Sequence, residues 1–293
     1  MPRSCRAVFV APLFLLPILS DGHAPAQETA AVSPELQARL ETVAKTMPSG
    51  FTAIAEPPFV VVGDEEEKVL HRRAASIVRM AVSRLKQDFF PRDPAEQITI
   101  WLFKDRTSYE SGTLRIFGER HISPFGYYSP KHQALIMNIA TGGGTLVHEI
   151  VHPFIRANFP DCPPWFNEGL ASLFEASAVR DGHLVGLTNW RLPGLQAAIR
   201  DHRTLSFAAL FALNHDEFYA DPVDGYNRHY GQARYLCYYL QEHGLLQKFY
   251  REFSAHVTED PTGLRSLQRV LDTDDVVAFQ ARWEKYVLEL KTR

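Results

Sequence analysis

Cysteine is scarce in this sequence, with three residues in 293. Cys162 and Cys237 lie far apart and lack the short spacing of cysteine metal sites, and Cys5 lies near the N-terminus. A disulfide framework and a cysteine metal cluster are therefore excluded. In an oxidising compartment Cys162 and Cys237 could pair with each other, or they could remain two separate buried thiols.

Long hydrophobic runs are also absent. The apolar stretch Ala7–Leu19 is too short to cross a bilayer, which takes about 20 apolar residues, and no later segment is long and apolar enough. Arg3 and Arg6 precede this stretch and an Ala-x-Ala site ending at Ala26 follows it, so residues 1–26 resemble a secretory signal peptide. An uncleaved membrane anchor is the alternative. We therefore predict a periplasmic or secreted protein whose mature chain has no membrane span.

The chain has no large excess of either charge, since 31 Lys and Arg residues stand against 34 Asp and Glu residues. No basic stretch occurs, so nucleic acid is not an expected partner. The glycines at 142–144 are not followed by the Gly-Lys-Ser/Thr string of phosphate-binding loops, which favours a plain strand-to-helix turn. Because no internal repeat or low-complexity block is visible, we predict one catalytic unit.

The most informative segment that is present is His148-Glu-Ile-Val-His152. In an α-helix two side chains four apart lie on one face, so His148 and His152 can bind one metal ion. Glu149 lies about 100° around the helix and stays free to act as general base on a metal-bound water, the arrangement this motif encodes in zinc metallopeptidases. The preceding Thr141-Gly-Gly-Gly-Thr145 and apolar residues at helical spacing predict a buried helix. The alternative is a chance string in a chain with 12 histidines.

A catalytic zinc site needs a third protein ligand and one open position for water. We predict that the motif helix ends near Phe159, that the prolines at 160, 163 and 164 break it, and that a second helix begins near Trp165. Folding this second helix back brings Glu168 near the two histidines. The metzincin arrangement is excluded, because Ile155 and Asn158 stand where it needs Gly and His.

The motif and the later segment Trp165-Phe-Asn-Glu-Gly-Leu-Ala-Ser-Leu-Phe-Glu175 together resemble the paired signature of gluzincin metallopeptidases. This group includes thermolysin and aminopeptidase N, and the resemblance is greatest to the aminopeptidase N-like form and to small bacterial peptidase-MA-like proteins. It implies one Zn²⁺ ion with His148, His152 and Glu168 as ligands and Glu149 as general base. It also implies that Glu175, two turns after Glu168 on the same helix face, orients a ligating histidine. A solvated helix position is the alternative for Glu175.

The chain departs from both named enzymes. Ser172 stands where thermolysin-like sequences carry Asp, and the interval between His152 and Glu168 is shorter than in either enzyme. The sequence also has no Gly-x-Met-Glu-Asn string of the kind that aminopeptidases use to bind a substrate's amino terminus. Aminopeptidase specificity is therefore not predicted.

The tetrahedral intermediate of peptide hydrolysis also needs a hydrogen-bond donor for its oxyanion. Similar aminopeptidase-like enzymes carry a tyrosine for this purpose on a helix after the third ligand, which implies Tyr230 here. Tyr226 and His229 in the same segment are rival donors. The alternative is that Tyr230 is a core residue that packs against Tyr235 and its neighbours.

We predict an α+β, gluzincin-like fold in which a small mixed sheet and the HExxH active-site helix pack against a C-terminal helical lobe. Signal peptide 1–26 is followed by a leader segment with a short helix (27–50), an α+β catalytic lobe with the zinc site (51–186) and a helical lobe (187–293). Strands are predicted at 59–62 and 97–103, a hairpin at 125–128 and 134–137, a long helix at 64–90, and helices at 192–202, 207–213, 230–243 and 245–256, followed by two more. We expect strand 134–137 to be the sheet edge bordering the cleft, where an extended peptide could pair with it.

The sequence therefore predicts a secreted or periplasmic zinc metallopeptidase that hydrolyses peptide or protein substrates. Its catalytic residues would be Glu149 and Tyr230. A non-catalytic, metal-containing protein of the same fold that binds peptides or the cell envelope is the alternative. Glu149 argues against that alternative, because a purely structural metal site needs no base.

Overall fold

The computed structural model describes residues 32–120, 123–220 and 228–292, and its first half is built on a five-stranded mixed sheet. The strands are β1 (Thr52–Glu56), β2 (Phe59–Gly63), β3 (Thr99–Phe103), β4 (Gly126–Ser129) and β5 (Ala134–Asn138). Their spatial order is β1-β2-β3-β5-β4, with β2, β3 and β5 parallel and the two edge strands antiparallel to their neighbours. The predicted α+β fold with a small mixed sheet is confirmed.

The central strands are continuous apolar runs because both faces of the sheet are covered. Val61 and Ile100 belong to the larger hydrophobic core, which also contains the motif helix and the C-terminal helices. Val60 and Trp101, which alternate with them, belong to a smaller core closed by helix α1 (Pro34–Thr46). Alternation along each strand therefore sends neighbouring side chains to two different cores.

The long helix predicted at 64–90 is present and crosses the larger core. It consists of α2 (Glu67–Arg73), a π-helical segment (Ala74–Arg79) and α3 (Met80–Asp88) in continuous succession. Its apolar stripe is buried at Leu70, Ala74, Ala81, Leu85 and Phe89. A second, shorter helix with the same mixed character, α4 (Arg106–Gly112) continued by a π-helical turn (Thr113–Phe117), follows β3.

The predicted hairpin forms as β4 and β5, but the expectation that its second strand is the sheet edge was wrong. β5 pairs with β3 on one side and with β4 on the other, so β4 occupies the edge. The reason is that a hairpin strand that also adds in parallel to the sheet becomes internal, and its partner takes the exposed position. The strand β1 at the other edge was not predicted.

After β5, the chain enters the two helices that carry the motif and the second segment. These are α5 (Gly144–Asn158) and α6 (Pro164–Leu173), and a small hairpin of β6 (Ser177–Arg180) and β7 (His183–Gly186) follows them. The remaining helices are α7 (Leu192–Arg200), α8 (Phe207–Ala212), α9 (His215–Tyr219), α10 (Arg228–Glu242), α11 (Leu246–His256), α12 (Leu264–Leu271) and α13 (Val276–Glu289). The predicted helical C-terminal region is confirmed, whereas the β6–β7 hairpin and α9 were not predicted.

Residues Val32–Arg293 form one compact unit, and the lobe boundary near Gly186 stays a prediction. The proposed signal peptide and the first residues of the leader lie outside the described residues. None of the helices in the described part of the chain combines the length and the apolar character that a bilayer span needs.

Candidate metal centre

Two helices bring the predicted ligands together. Pro163 and Pro164 occupy the N-cap and first positions of α6, where proline's fixed φ suits a helix start, and so separate α6 from α5. The histidines lie on α5 and Glu168 lies in the second turn of α6. One ligand atom from each of His148, His152 and Glu168 lies within 4.8 Å of the others. The predicted return of the second helix is therefore observed.

The geometry of these three side chains suits a small cation. The Nε2 atom of His148 lies 3.3 Å from Oε2 of Glu168, and Nε2 of His152 lies 3.8 Å from Oε1. Two ligands at about 2.0–2.1 Å from a tetrahedral ion are about 3.3 Å apart. Oε2 of Glu168 is buried and accepts no hydrogen bond, so its lone pairs remain available. This cluster could therefore hold a metal ion.

A close helix contact fixes where Glu168 lies. The helices α6 and α10 pack tightly at Gly169, where a Cβ atom would lie 2.9 Å from the carbonyl oxygen of Ala233. At the end of α6, the buried guanidinium of Arg234 donates to the carbonyl oxygens of Ser172 and Leu173. These contacts hold the ligand-bearing helix at both its middle and its end.

Each histidine of the cluster has an outer partner for its other ring nitrogen. Nδ1 of His152 lies 2.9 Å from Oδ1 of Asn167, and Nδ1 of His148 lies 3.3 Å from Oε1 of Glu175, without hydrogen-bond alignment. Such partners set the ring orientation and leave Nε2 free to bind a metal ion. Asn167 was not singled out by the sequence, although it directly precedes Glu168.

Glu175 does not lie on the second helix as predicted. The helix α6 ends at Leu173, and Glu175 follows it in a turn, yet its carboxylate still reaches His148. Its backbone passes so close to the start of α5 that a Cβ atom at Gly144 would lie 1.9 Å from the carbonyl oxygen of Glu175. The lack of a side chain at the first residue of α5 is therefore what allows this approach.

The carboxylate of Glu175 is embedded in a polar network and is only 13% exposed. Arg191 donates to both of its oxygens, at 2.6 Å from Nη2 and 2.9 Å from Nε, and Asn189 donates at 3.1 Å. A bidentate pair of this kind fixes the carboxylate's orientation. Neither Asn189 nor Arg191 is predictable from a motif, because both lie beyond an intervening hairpin.

The charges of the cluster are strongly coupled. Burial opposes a charge on His148, but the adjacent carboxylates of Glu168 and Glu175 outweigh burial and raise the pKa of His148 to about 10. Burial also opposes ionisation of the carboxylates, yet His148 and His152 lower the pKa of Glu168 to about 2. Arg191 and His148 lower the pKa of Glu175 to about 2. A cation that bound here would displace the proton of His148, because a ligating histidine must be neutral, and would meet the anionic carboxylate of Glu168.

A cleft of about 850 Å³ opens beside the cluster, a size that suits a ligand site. Hereafter it is called the cleft. Both His148 and Glu149 line it, so Glu149 borders open space next to the candidate ligands. The rest of the lining comes from three parts of the chain: the start of β4, residues 141–145, and the neighbourhood of Glu175. Its residues are Ser123, Phe125, Gly126, Thr141, Gly142, Gly144, Thr145, Trp190, Arg191 and Tyr230.

Of the three predicted oxyanion donors, Tyr230 lines the cleft. It lies in the first turn of α10, with its ring centroid 5.3 Å from that of Phe218 and 4.9 Å from the guanidinium of Arg191. Burial and the charge of Glu168 raise the pKa of its phenol, which therefore keeps its proton at neutral pH. His229 is buried, with Nδ1 2.9 Å from the carbonyl oxygen of Phe218. Tyr226 lies outside the described residues.

A second tyrosine, Tyr219, was missed by the sequence reasoning. It ends the short helix α9, and its hydroxyl donates to Oε1 of Glu168. Burial of the phenol and the charge of Glu168 raise its pKa as well. The capping box formed by Asn214 and Glu217 could have revealed α9. It could not have revealed the contact with Glu168, which joins segments far apart in the chain.

The two cysteines lie outside the metal cluster. Cys162 lies in the turn between α5 and α6, Cys237 lies on α10, and both are free thiols. Burial raises the pKa of both thiols. Of the two alternatives from the sequence, the structure therefore shows separate thiols.

The site falls inside a segment shared with a known family. Residues 142–261 match the family described as Protein of unknown function (DUF1570). This segment contains the metal cluster, Glu149, Glu175, Tyr219 and Tyr230, whereas the sheet precedes it. No curated protein matches the chain. The family description assigns no activity, so function has to be inferred from the site.

The contact between Asn167 and His152 gives a first prediction. Asn167→Ala removes the acceptor for Nδ1 of His152, and loss of such a partner lowers metal affinity about 10–100-fold. Asn167→Asp keeps an acceptor oxygen and should retain most of the affinity. The measurement is a competition titration against a chromophoric chelator, with melting temperature recorded for each variant. Equal affinity of the Ala variant and the native protein would remove Asn167 from the site.

Proposed function

We propose that this protein is a zinc metallopeptidase of the gluzincin type that acts in the periplasm or outside the cell. The observation that carries the proposal is the position of Glu149. This carboxylate borders the cleft directly beside a three-residue cluster suited to a metal. Two imidazoles and one carboxylate are a donor set that zinc favours, and three protein ligands leave a fourth position open.

The side chains around the cleft supply the remaining chemistry. A bound zinc ion would act as a Lewis acid on the scissile carbonyl and on the attacking water. Glu149 accepts the proton of that water and passes it to the leaving amine. Glu175 and Asn167 keep the two imidazoles oriented, and a tyrosine hydroxyl at the cluster donates to the developing oxyanion.

The edge strand β4 supports a peptide as the substrate. Its first residue, Gly126, and the preceding Phe125 line the cleft. An edge strand has unpaired backbone donors and acceptors, so an extended peptide can add to it by main-chain hydrogen bonds. Such a peptide would pass the candidate metal cluster in the same cleft.

Peptide cleavage with controlled metal content tests the proposal. The purified protein should cleave a mixed peptide library, lose this activity after chelation, and regain it with about one equivalent of zinc. The variant His148→Ala should neither retain zinc nor regain activity. Cleavage that survives complete metal removal would refute the zinc mechanism. Peptide binding without cleavage by the zinc-loaded protein would favour the non-catalytic alternative.

A further inference from the structure

Exposed aromatic side chains gather around the cleft. Among the described residues, Phe125 and Trp190 are exposed large hydrophobics, at 51% and 66%, and both line the cleft. The other three tryptophans of the chain are almost fully buried. Single exposed apolar residues need no explanation, but two aromatics that share one cavity indicate a surface that binds a ligand.

Trp190 is held in place although it is exposed. The guanidinium carbon of Arg191 lies 4.1 Å from the centroid of the Trp190 ring and 4.9 Å from that of Tyr230. Arg191 is itself fixed by its bidentate pair with Glu175. A cation over an aromatic ring stabilises that ring's position, so a ligand that stacks there loses little further side-chain entropy.

Near Trp190 the charges of the cleft are already paired. The cation of Arg191 is neutralised by Glu175, and the remaining charged groups in its described lining are His148 and Glu149. The other described lining residues are glycines, hydroxyl residues and aromatics. A charged substrate side chain stacked on Trp190 would lose water beside an Arg191 cation that Glu175 already neutralises, whereas an apolar side chain would gain from leaving water.

We propose that Trp190 is a specificity-determining residue that receives a bulky apolar or aromatic side chain of a peptide substrate, with Phe125 contributing to the same surface. This inference rests on the proposed function, because it names the substrate class of the same cleft. The side chain that stacks on Trp190 is near the residues at the metal cluster, since Arg191 contacts Trp190, Tyr230 and Glu175 together.

Binding can be measured without cleavage. Glu149→Gln protein is mixed with pentapeptides that differ at one position, which holds Phe, Leu, Ala, Glu or Lys. Because Trp190 is the exposed tryptophan, it should dominate the fluorescence that acrylamide quenches. The Phe and Leu peptides should protect this fluorescence at concentrations where the Glu and Lys peptides do not. Trp190→Phe should abolish the quenchable signal, which confirms its source.

Cleavage rates supply the second measurement. Trp190→Ala should lower kcat/KM for the Phe peptide about tenfold and leave kcat/KM for the Ala peptide within about twofold. Zinc content should stay that of the native protein, and Trp190→Phe should restore most of the loss because the aromatic face is kept. Leu114→Ala is the matched control, since Leu114 is 57% exposed but does not line the cleft.

The outcomes separate the two proposals. If apolar peptides protect Trp190 but no peptide is cleaved by the native protein, the role of Trp190 stands and the peptidase function fails. If peptides are cleaved but Trp190→Ala leaves the preference unchanged, the role of Trp190 is overturned and the peptidase function stands. Protection by none of these peptides, or equal protection by the Phe, Leu, Glu and Lys peptides, also overturns the role of Trp190.

Discussion

Glu149→Gln should lower the rate of peptide hydrolysis by about 10²–10⁴-fold while leaving zinc content unchanged. Glutamine keeps the size and hydrogen-bonding shape of the side chain but cannot accept the water proton at neutral pH. The variant carboxamide would still border the cleft next to His148. Metal binding should persist, because the ligand cluster consists of His148, His152 and Glu168 and does not include Glu149.

Three measurements on the same preparation separate a loss of catalysis from a loss of metal or of folding. Steady-state kcat/KM on a cleaved peptide reports the loss, bound zinc is determined after desalting, and melting temperature reports the fold. His148→Ala is the contrasting variant, since it should lose both zinc and activity. Turnover of Glu149→Gln equal to that of the native protein, at equal zinc content, would rule out Glu149 as the base.

The metal cluster is predictable from sequence because its determinants are local. The spacing of His148 and His152 fixes a common helix face, and the prolines before α6 define where the second helix begins. Glu168 then follows from helix length alone. The fold class and most helices are predictable for the same reason, since apolar periodicity reports which face of each element is buried.

The parts that sequence reasoning missed depend on contacts between distant segments. Strand order is not encoded in a strand's own pattern, because only the pairing of β5 with β3 decides which strand of the hairpin is the edge. Glu175 was predicted within the second helix but lies beyond its end, since no proline or glycine marks the end of α6 at Leu173. Arg191 contacts Glu175 and Tyr219 contacts Glu168 from beyond other elements, and no local motif indicates either contact.

The network around Glu175 connects the candidate metal cluster to the proposed substrate surface. One carboxylate contacts His148 and pairs with Arg191, and Arg191 contacts the rings of Trp190 and Tyr230. A change at Arg191 would therefore disturb metal orientation and substrate contact together. The substrate contact is therefore better tested at Trp190, with Arg191 left intact.

Tyr230 and Tyr219 make different contacts, so their phenylalanine variants should have different effects on catalysis and zinc binding. Tyr230 lines the cleft, so Tyr230→Phe should lower kcat about 10²-fold with little change in KM, through loss of one hydrogen bond made mainly in the transition state. Its ring would keep the contacts with Phe218 and Arg191, so melting temperature should barely move. Tyr219 donates to Glu168, so Tyr219→Phe should first weaken zinc binding.

Parallel variants identify the donor. His229→Ala should lower stability more than kcat, because Nδ1 of His229 contacts the carbonyl oxygen of Phe218 and links α9 to α10. Tyr226→Phe is assayed beside it as the remaining rival from the same segment. The oxyanion donor is the residue whose loss lowers kcat while zinc content stays intact.

If kcat of Tyr230→Phe stays within a few-fold of the native value and only its melting temperature falls, Tyr230 is a core residue. The same drop in kcat for zinc-loaded Tyr219→Phe would then transfer the donor role to Tyr219, whose hydroxyl already lies at the cluster.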